Sequence, residues 1–370
     1  MPIHINLERK IMKKRLLLSF LLVTAMHSAF AQKAFTSGSL SVLRVGDGTK
    51  ELGTAATPVF IDEYSTAGKL IQSIALPTKA SRDHKVLTLD GNTSGISSYE
   101  GILSLSQDGE KLTVTGYNAP VGTDAVTSTE SDEVKRVVGV INGLGQVNTK
   151  TALNIFPKTF ISSAVVDGDN LWISGGKPNI YHTTIGATNA TSIVSRTGRG
   201  LGIFDNQLYT AQSTGTASSV IAVGKGLPTT QGQEVAPLPG MTINGTTPSG
   251  RDFVFVDVNP KIKGFDVLYV ANSGISDGIT KYSLLNGEWV SNGTIKGQYT
   301  GITAVISGSE VFIYGIKFGL SSSELFKITD NTGYNGSISE LSRLILTKTE
   351  KNTIFRGLSL SPQGKANINN

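Results

Sequence analysis

Cysteine is absent from the 370 residues. That excludes disulfides, thiolate metal sites and a cysteine nucleophile, and with them the acylated cysteine that a lipoprotein anchor requires. Histidine is nearly absent too. Of four, His4 and His27 fall within the first 31 positions, so only His84 and His182 remain for the body of the chain. These two are far apart in sequence, and a two-histidine zinc site would exist only if the fold joined them. Charged residues are sparse at 16% and aromatics at 7%. No stripe of Lys and Arg interleaved with aromatics occurs, so the electrostatic footprint of a nucleic-acid binder is missing. Beyond residue 31 there is no convincing helical periodicity.

What is present begins with an export signal. Lys13, Lys14 and Arg15 precede an apolar run over residues 16–26, and Ala29-Phe30-Ala31 before Gln32 fits a small-x-small cleavage site. The run is shorter than the ~20 residues of a membrane-spanning helix. Residues 1–31 are therefore read as an N-terminal extension plus a cleaved signal peptide, with Met12 the more natural initiator, and residues 32–370 as the exported domain. Neither a transmembrane anchor nor an appended sorting domain is expected, and the location is periplasmic or extracellular. The leader holds five basic residues and one acid of the 33 Lys and Arg and 28 Asp and Glu. Without it the formal charge drops from +5 to about +1.

The remaining chain is rich in glycine, with 42 residues, and is patterned with the two-residue alternation of strands. A strand, a tight polar turn and a second strand recur in "YEGILSLSQDGEKLTVTGY" from Tyr99, "FISSAVVDGDNLWISGG" from Phe160 and "GRGLGIFDNQLYTAQS" from Gly198. The unit returns from Gly250, Tyr299 and Phe355. Asp108-Gly109, Asp205-Asn206 and Gly308-Ser309 supply the positive-φ residues that short hairpin loops need. Further strand-like runs follow most units, for example residues 279–284 and 288–295 around Asn286-Gly287. Four strands recurring roughly every 40–60 residues predict the blades of a β-propeller. About six blades are expected, or seven if residues 81–98 or 228–247 conceal strands.

The "FRGLSLS" run from Phe355 has no room downstream for the other strands of its blade. Three runs at the other end, from Ser39, Pro58 and Lys69, lack an innermost partner. Pairing the two termini would close the ring and hide its edges.

"SVLRVGDGT…PVFIDEY", "GLPTTQGQ", "DVLYVANSG…ITKYSLLNGEW" and "NTIFRGLSLSP" resemble a family of secreted bacterial proteins regarded as propellers without an assigned activity. The likeness spans residues 39–362 and implies the same fold and an exported location, but no catalytic residues. "LYVANSG" is also similar to the short YVTN-type propeller repeat. The "AFAQ" junction looks like that of exported Bacteroidetes-type proteins.

Innermost strands line a propeller's channel, so equivalent positions on them form a ring. Aligning the units on the residue before the first strand glycine, or its counterpart, gives Glu100, Ser162, Arg199, Arg251, Thr300 and Arg356. Arg199, Arg251 and Arg356 with Glu100 form a candidate ligand site, because guanidinium forks match carboxylate, phosphate or sulfate. The competing reading pairs each arginine with an acid of a neighbouring blade, or shifts the alignment by one residue, which turns a side chain to the opposite face.

The leading function is a non-catalytic binding or scaffold module for a glycan, a small anion or an envelope protein. The alternative is a hydrolase or lactonase in the channel. Sialidases also carry three arginines, with Tyr99, Tyr299 and Glu100 as stand-ins for the reacting pair, but their S-x-D-x-G-x-T-W box is absent here. No cofactor is expected. A lactonase-like calcium site would draw oxygens from Glu100, Asn272 and Asp257, although Asp257 before Asn259-Pro260 also reads as turn chemistry. An envelope protein without a small ligand would show a channel plugged by side chains. Trp172 and Trp289 are expected in the core or in packing between blades.

Overall fold

The computed structural model describes residues 33–92, 99–212, 218–241, 248–272, 277–319 and 322–364. The expected leader over residues 1–31 lies outside them. From Ala34 onward the chain forms one compact unit. Among the described residues, no helix is long and apolar enough to cross a membrane.

The fold is all-β. Its strands begin with β1 (Leu40–Val45), β2 (Ala56–Tyr64), β3 (Leu70–Ala75), β4 (Thr88–Asp90), β5 (Ser104–Leu105), β6 (Lys111–Tyr117), β7 (Arg136–Asn142) and β8 (Val147–Leu153). Next come β9 (Ile161–Asp167), β10 (Asn170–Gly175), β11 (Ile180–Thr184) and β12 (Thr191–Val194), then β13 (Leu201–Phe204), β14 (Gln207–Ala211), β15 (Val220–Val223) and β16 (Val235–Pro237). The last are β17 (Gly250–Val256), β18 (Val267–Asn272), β19 (Ile279–Leu285), β20 (Glu288–Ile295), β21 (Tyr299–Ser307), β22 (Glu310–Lys317), β23 (Glu324–Asp330), β24 (Leu344–Lys348) and β25 (Ile354–Leu360).

Strands β9–β12, β13–β16, β17–β20 and β21–β24 each form a separate four-stranded antiparallel sheet, and these stand in a propeller-like arrangement. Their hairpins have the turn chemistry that the sequence predicts. Asp205 and Asn206 both have positive φ, as do Asn286 and Gly287, matching the twist of the strands they join.

The predicted count of six separate blades is corrected by the remaining strands, which merge into a single nine-stranded sheet. The cause is β4, which pairs with β2 through Pro58–Thr88 and with β6 through Thr88–Tyr117. It thereby joins the run β25-β1-β2-β3 to the run β5-β6-β7-β8. Both long segments suspected of hiding strands do hold one. β4 is this link, and β16 is the outer strand that completes its own sheet rather than founding another.

The termini pair as expected: β25 lies antiparallel to β1, with Leu40 opposite Leu360 and Val45 opposite Ile354. Ser41 and Ser361 add a buried hydroxyl pair at 2.9 Å. Apolar clusters fill the spaces between sheets. Trp172 is buried and donates from Nε1 to the Pro228 carbonyl at 2.6 Å, and Trp289 packs with Phe255 and Tyr282.

Inner strands approach one another closely. A Cβ on Gly357 would run into the Gly101 carbonyl oxygen, and one on Gly200 would lie 2.8 Å from that of Arg251. Gly200 N–H instead donates to that Arg251 oxygen at 2.9 Å, linking two sheets through backbone.

A chain ending at Asn352, which lacks β25, is expected to lose the full-length cooperative melting transition. An unchanged transition would contradict closure by β25. Gly357→Ala is expected to destabilise by about 1–3 kcal/mol, as overpacking does. Gly53→Ala, where a Cβ meets nothing within 4 Å, should stay within about 0.5 kcal/mol; chemical denaturation measures both.

Candidate functional site

The ring positions share a backbone device. Register shifts fall in β9 between Ser163 and Ile161, in β17 between Gly250 and Asp252, and in β21 between Tyr299 and Gly301. Another falls in β25 between Phe355 and Leu358. The unpaired residues at these bulges are Ser162, Arg251, Thr300, and Arg356 with Gly357. A bulge leaves a residue out of the ladder and re-aims its side chain. Four inner strands therefore carry the same irregularity at the same level, at the ring positions picked out by the sequence.

The side chains meet there. Arg356 Nη1 lies 3.3 Å from Glu100 Oε2, an ion pair across the β25–β5 side of the ring that is almost wholly enclosed. Arg356 Nη2 also donates to the carbonyls of Asp90 and, at 2.7 Å, Asn92. Glu100 Oε1 accepts from the Tyr117 hydroxyl and, at 2.9 Å, from Thr127 Oγ1, which also reaches Asp90 Oδ2 at 2.9 Å. Burial pushes the Glu100 carboxyl up to about 7 against the opposing pull of Arg356, and it pushes the Tyr117 phenol well above its ordinary value.

Arg251 is placed differently. Its Nε donates to the Thr300 carbonyl at 2.8 Å, and the residue is 1% exposed, but its Nη2 is buried without a hydrogen-bond partner. Burial first, and then the positive charges of Arg199 and Arg356, work against its own charge and lower its pKa. Arg199 donates from Nη1 to Ser249 Oγ at 2.6 Å and to the Gly250 carbonyl at 3.1 Å. Both guanidinium groups face the Tyr99 ring, with Arg199 at 4.2 Å and Arg251 at 5.7 Å from its centroid. Ser162 Oγ holds the Tyr99 carbonyl at 2.7 Å.

Asp252, next to Arg251, faces the adjoining strands. Its Oδ1 accepts from its neighbour Phe253 N–H and its Oδ2 from Ile302 N–H, both at 3.0 Å, while burial raises its carboxyl to about 7.

Of the two sequence readings for the arginines, pairing with an acid holds for Arg356 alone among Arg251 and Arg356. The calcium set does not assemble. Asp257 is exposed just past the far end of β17, six residues and so roughly 20 Å along the strand from Arg251. Asn272 lies buried opposite Gly250. No group of three or more His, Asp or Glu placed to hold a metal occurs among the described residues. His182 bonds Asn170 at 2.9 Å and packs on Trp172, while His84 lies in the β3–β4 connection, so the two histidines do not form a site. Tyr299 turns into the core against Phe326, and its hydroxyl donates to the Lys296 carbonyl at 3.0 Å, so it is not a stand-in for a reacting tyrosine in the channel.

Sequence reasoning missed Asp90, Tyr117 and Thr127, which enclose Glu100. Asp90 sits on the three-residue β4, and Thr127 on a single 3-10 turn over Val126–Ser128, both too short to show a period.

Neither a model of a known protein family nor a curated protein matches this sequence.

Arg356→Met should destabilise by about 3–5 kcal/mol, because it strands a buried carboxylate. Arg251→Met removes a buried cation that makes no ion pair with an acid and should cost less, about 1.5–3 kcal/mol, the worth of its charged hydrogen bond to Thr300. Denaturant titration of the two variants checks the contrast, and equal losses would contradict the different roles assigned to these arginines.

Proposed function

We propose that this protein is an exported, non-catalytic binding module whose ring end takes a small anion. The anion is a carboxylate or sulfate, free or carried by an acidic glycan. The observation that carries this reading is Arg251, whose Nη2 is buried, unpartnered and beside a second guanidinium stacked on Tyr99. Leaving a buried charged donor unsatisfied is costly, and an anion held by Arg251 and Arg199 would relieve both the missing bond and the mutual repulsion.

Glu100 supports binding over hydrolysis in this reading. Arg356, Tyr117 and Thr127 occupy it, and it is wholly enclosed, so it faces no space in which a substrate bond could sit. Arg356 accordingly acts as a structural member of the ring, and Arg199 and Arg251 are the ligand-facing pair. The export signal over residues 13–31 supports a ligand met outside the cytoplasm, and an envelope protein presenting a carboxylate is an alternative carrier of the same group.

Calorimetry with sulfate, glucuronate and galactose tests the proposal. Sulfate or glucuronate should bind and galactose should not. Arg251→Gln should weaken the anion at least about tenfold, given roughly 1.5–3 kcal/mol for a hydrogen bond to a charged group. No heat with either anion, or an unchanged affinity in Arg251→Gln, would overturn it.

A further inference from the structure

A second, chemically opposite feature adjoins the ring positions. Beyond Arg251 and Arg356, strands β5, β13, β17, β21 and β25 line a cavity of about 260 Å³. Its walls are largely apolar and include the three aromatic residues Phe204, Phe253 and Phe265. The charged residues lining it are Asp252 and Asp205, both acids, and no Lys or Arg contributes. Asp205 is exposed at the rim, in the β13–β14 turn. Asp252 is 7% exposed and is oriented by the backbone N–H groups of Phe253 and Ile302. Each of its oxygens accepts one of those bonds, and a carboxylate oxygen has capacity for a second.

Size, wall and charge together select a ligand class. An apolar cavity of roughly 150 Å³ holds a benzene ring, so this one has room for a ring with a short chain. Aromatic faces attract an organic cation, and a buried acid with spare acceptor capacity favours a positively charged donor. We propose that this cavity binds a small apolar amine, an aryl- or alkylammonium, with its charge on Asp252 and its body against Phe204, Phe253 and Phe265. The site uses no residue of the anion pair, so the two proposals stand or fall separately.

Calorimetry on the full chain with 2-phenylethylamine, 2-phenylethanol and 3-phenylpropionate tests it. The amine should bind at least tenfold more tightly than the alcohol, and the carboxylate more weakly than either. Asp252→Asn should bring the amine to the level of the alcohol. Ala304→Trp, which places an indole in the cavity from β21, should abolish binding of all three and decides the matter if Asp252→Asn melts abnormally. Absence of amine binding, equal affinity for amine and carboxylate, or amine affinity unchanged in Ala304→Trp would overturn the proposal.

Discussion

Everything at the centre of this protein depends on how closely the inner strands approach one another. Gly200 N–H bonds the Arg251 carbonyl, Ile102 N–H bonds the Ser162 carbonyl, and Gly357 lies against the Gly101 carbonyl. The contacts at Gly200 and Gly357 leave no room for a Cβ, and a glycine beside the ring position meets that demand. They also break the regular ladder. Bulges at Ser162, Arg251, Thr300 and Arg356 absorb the extra residue on each strand and aim it at its neighbours. Closure by β25 belongs to the same constraint, since Arg356 and Gly357 come from the strand that the C-terminal segment adds to β1.

The charges are then arranged within a narrow space. Glu100 offsets Arg356, and the pair is completed by Tyr117 and Thr127, so the β25–β5 side is a satisfied network of the kind that fixes a unique arrangement. Arg251 receives no such partner and depends on the Thr300 carbonyl and the Tyr99 ring. One residue further along the same strand, Asp252 belongs to a cavity whose charged lining is wholly acidic.

Much of this was legible in the sequence because it rests on local signals. Asp205-Asn206 and Asn286-Gly287 announce their hairpins, and a glycine following the ring residue in several units aligns Glu100, Ser162, Arg199, Arg251, Thr300 and Arg356 from sequence alone. The unpaired run from Phe355 pointed to β1. What was not legible depends on contacts distant in sequence. The β4 segment is three residues long, and its pairing with both β2 and β6 merges strands that periodicity alone would keep apart. Tyr117 and Thr127 reach Glu100 only through the folded chain. Asp257 is an acid of suitable type for a calcium ligand, but the length of β17 carries it away from the ring.

The central claim is that Arg251 is left unpartnered to receive an anion beside Arg199. The most direct measurement is the anomalous difference density of crystals soaked in selenate. The account predicts a peak within hydrogen-bond distance of Arg251 Nη2, next to Arg199 and over the edge of Tyr99. Peaks confined to other arginines or lysines, with none at Arg251, would contradict it.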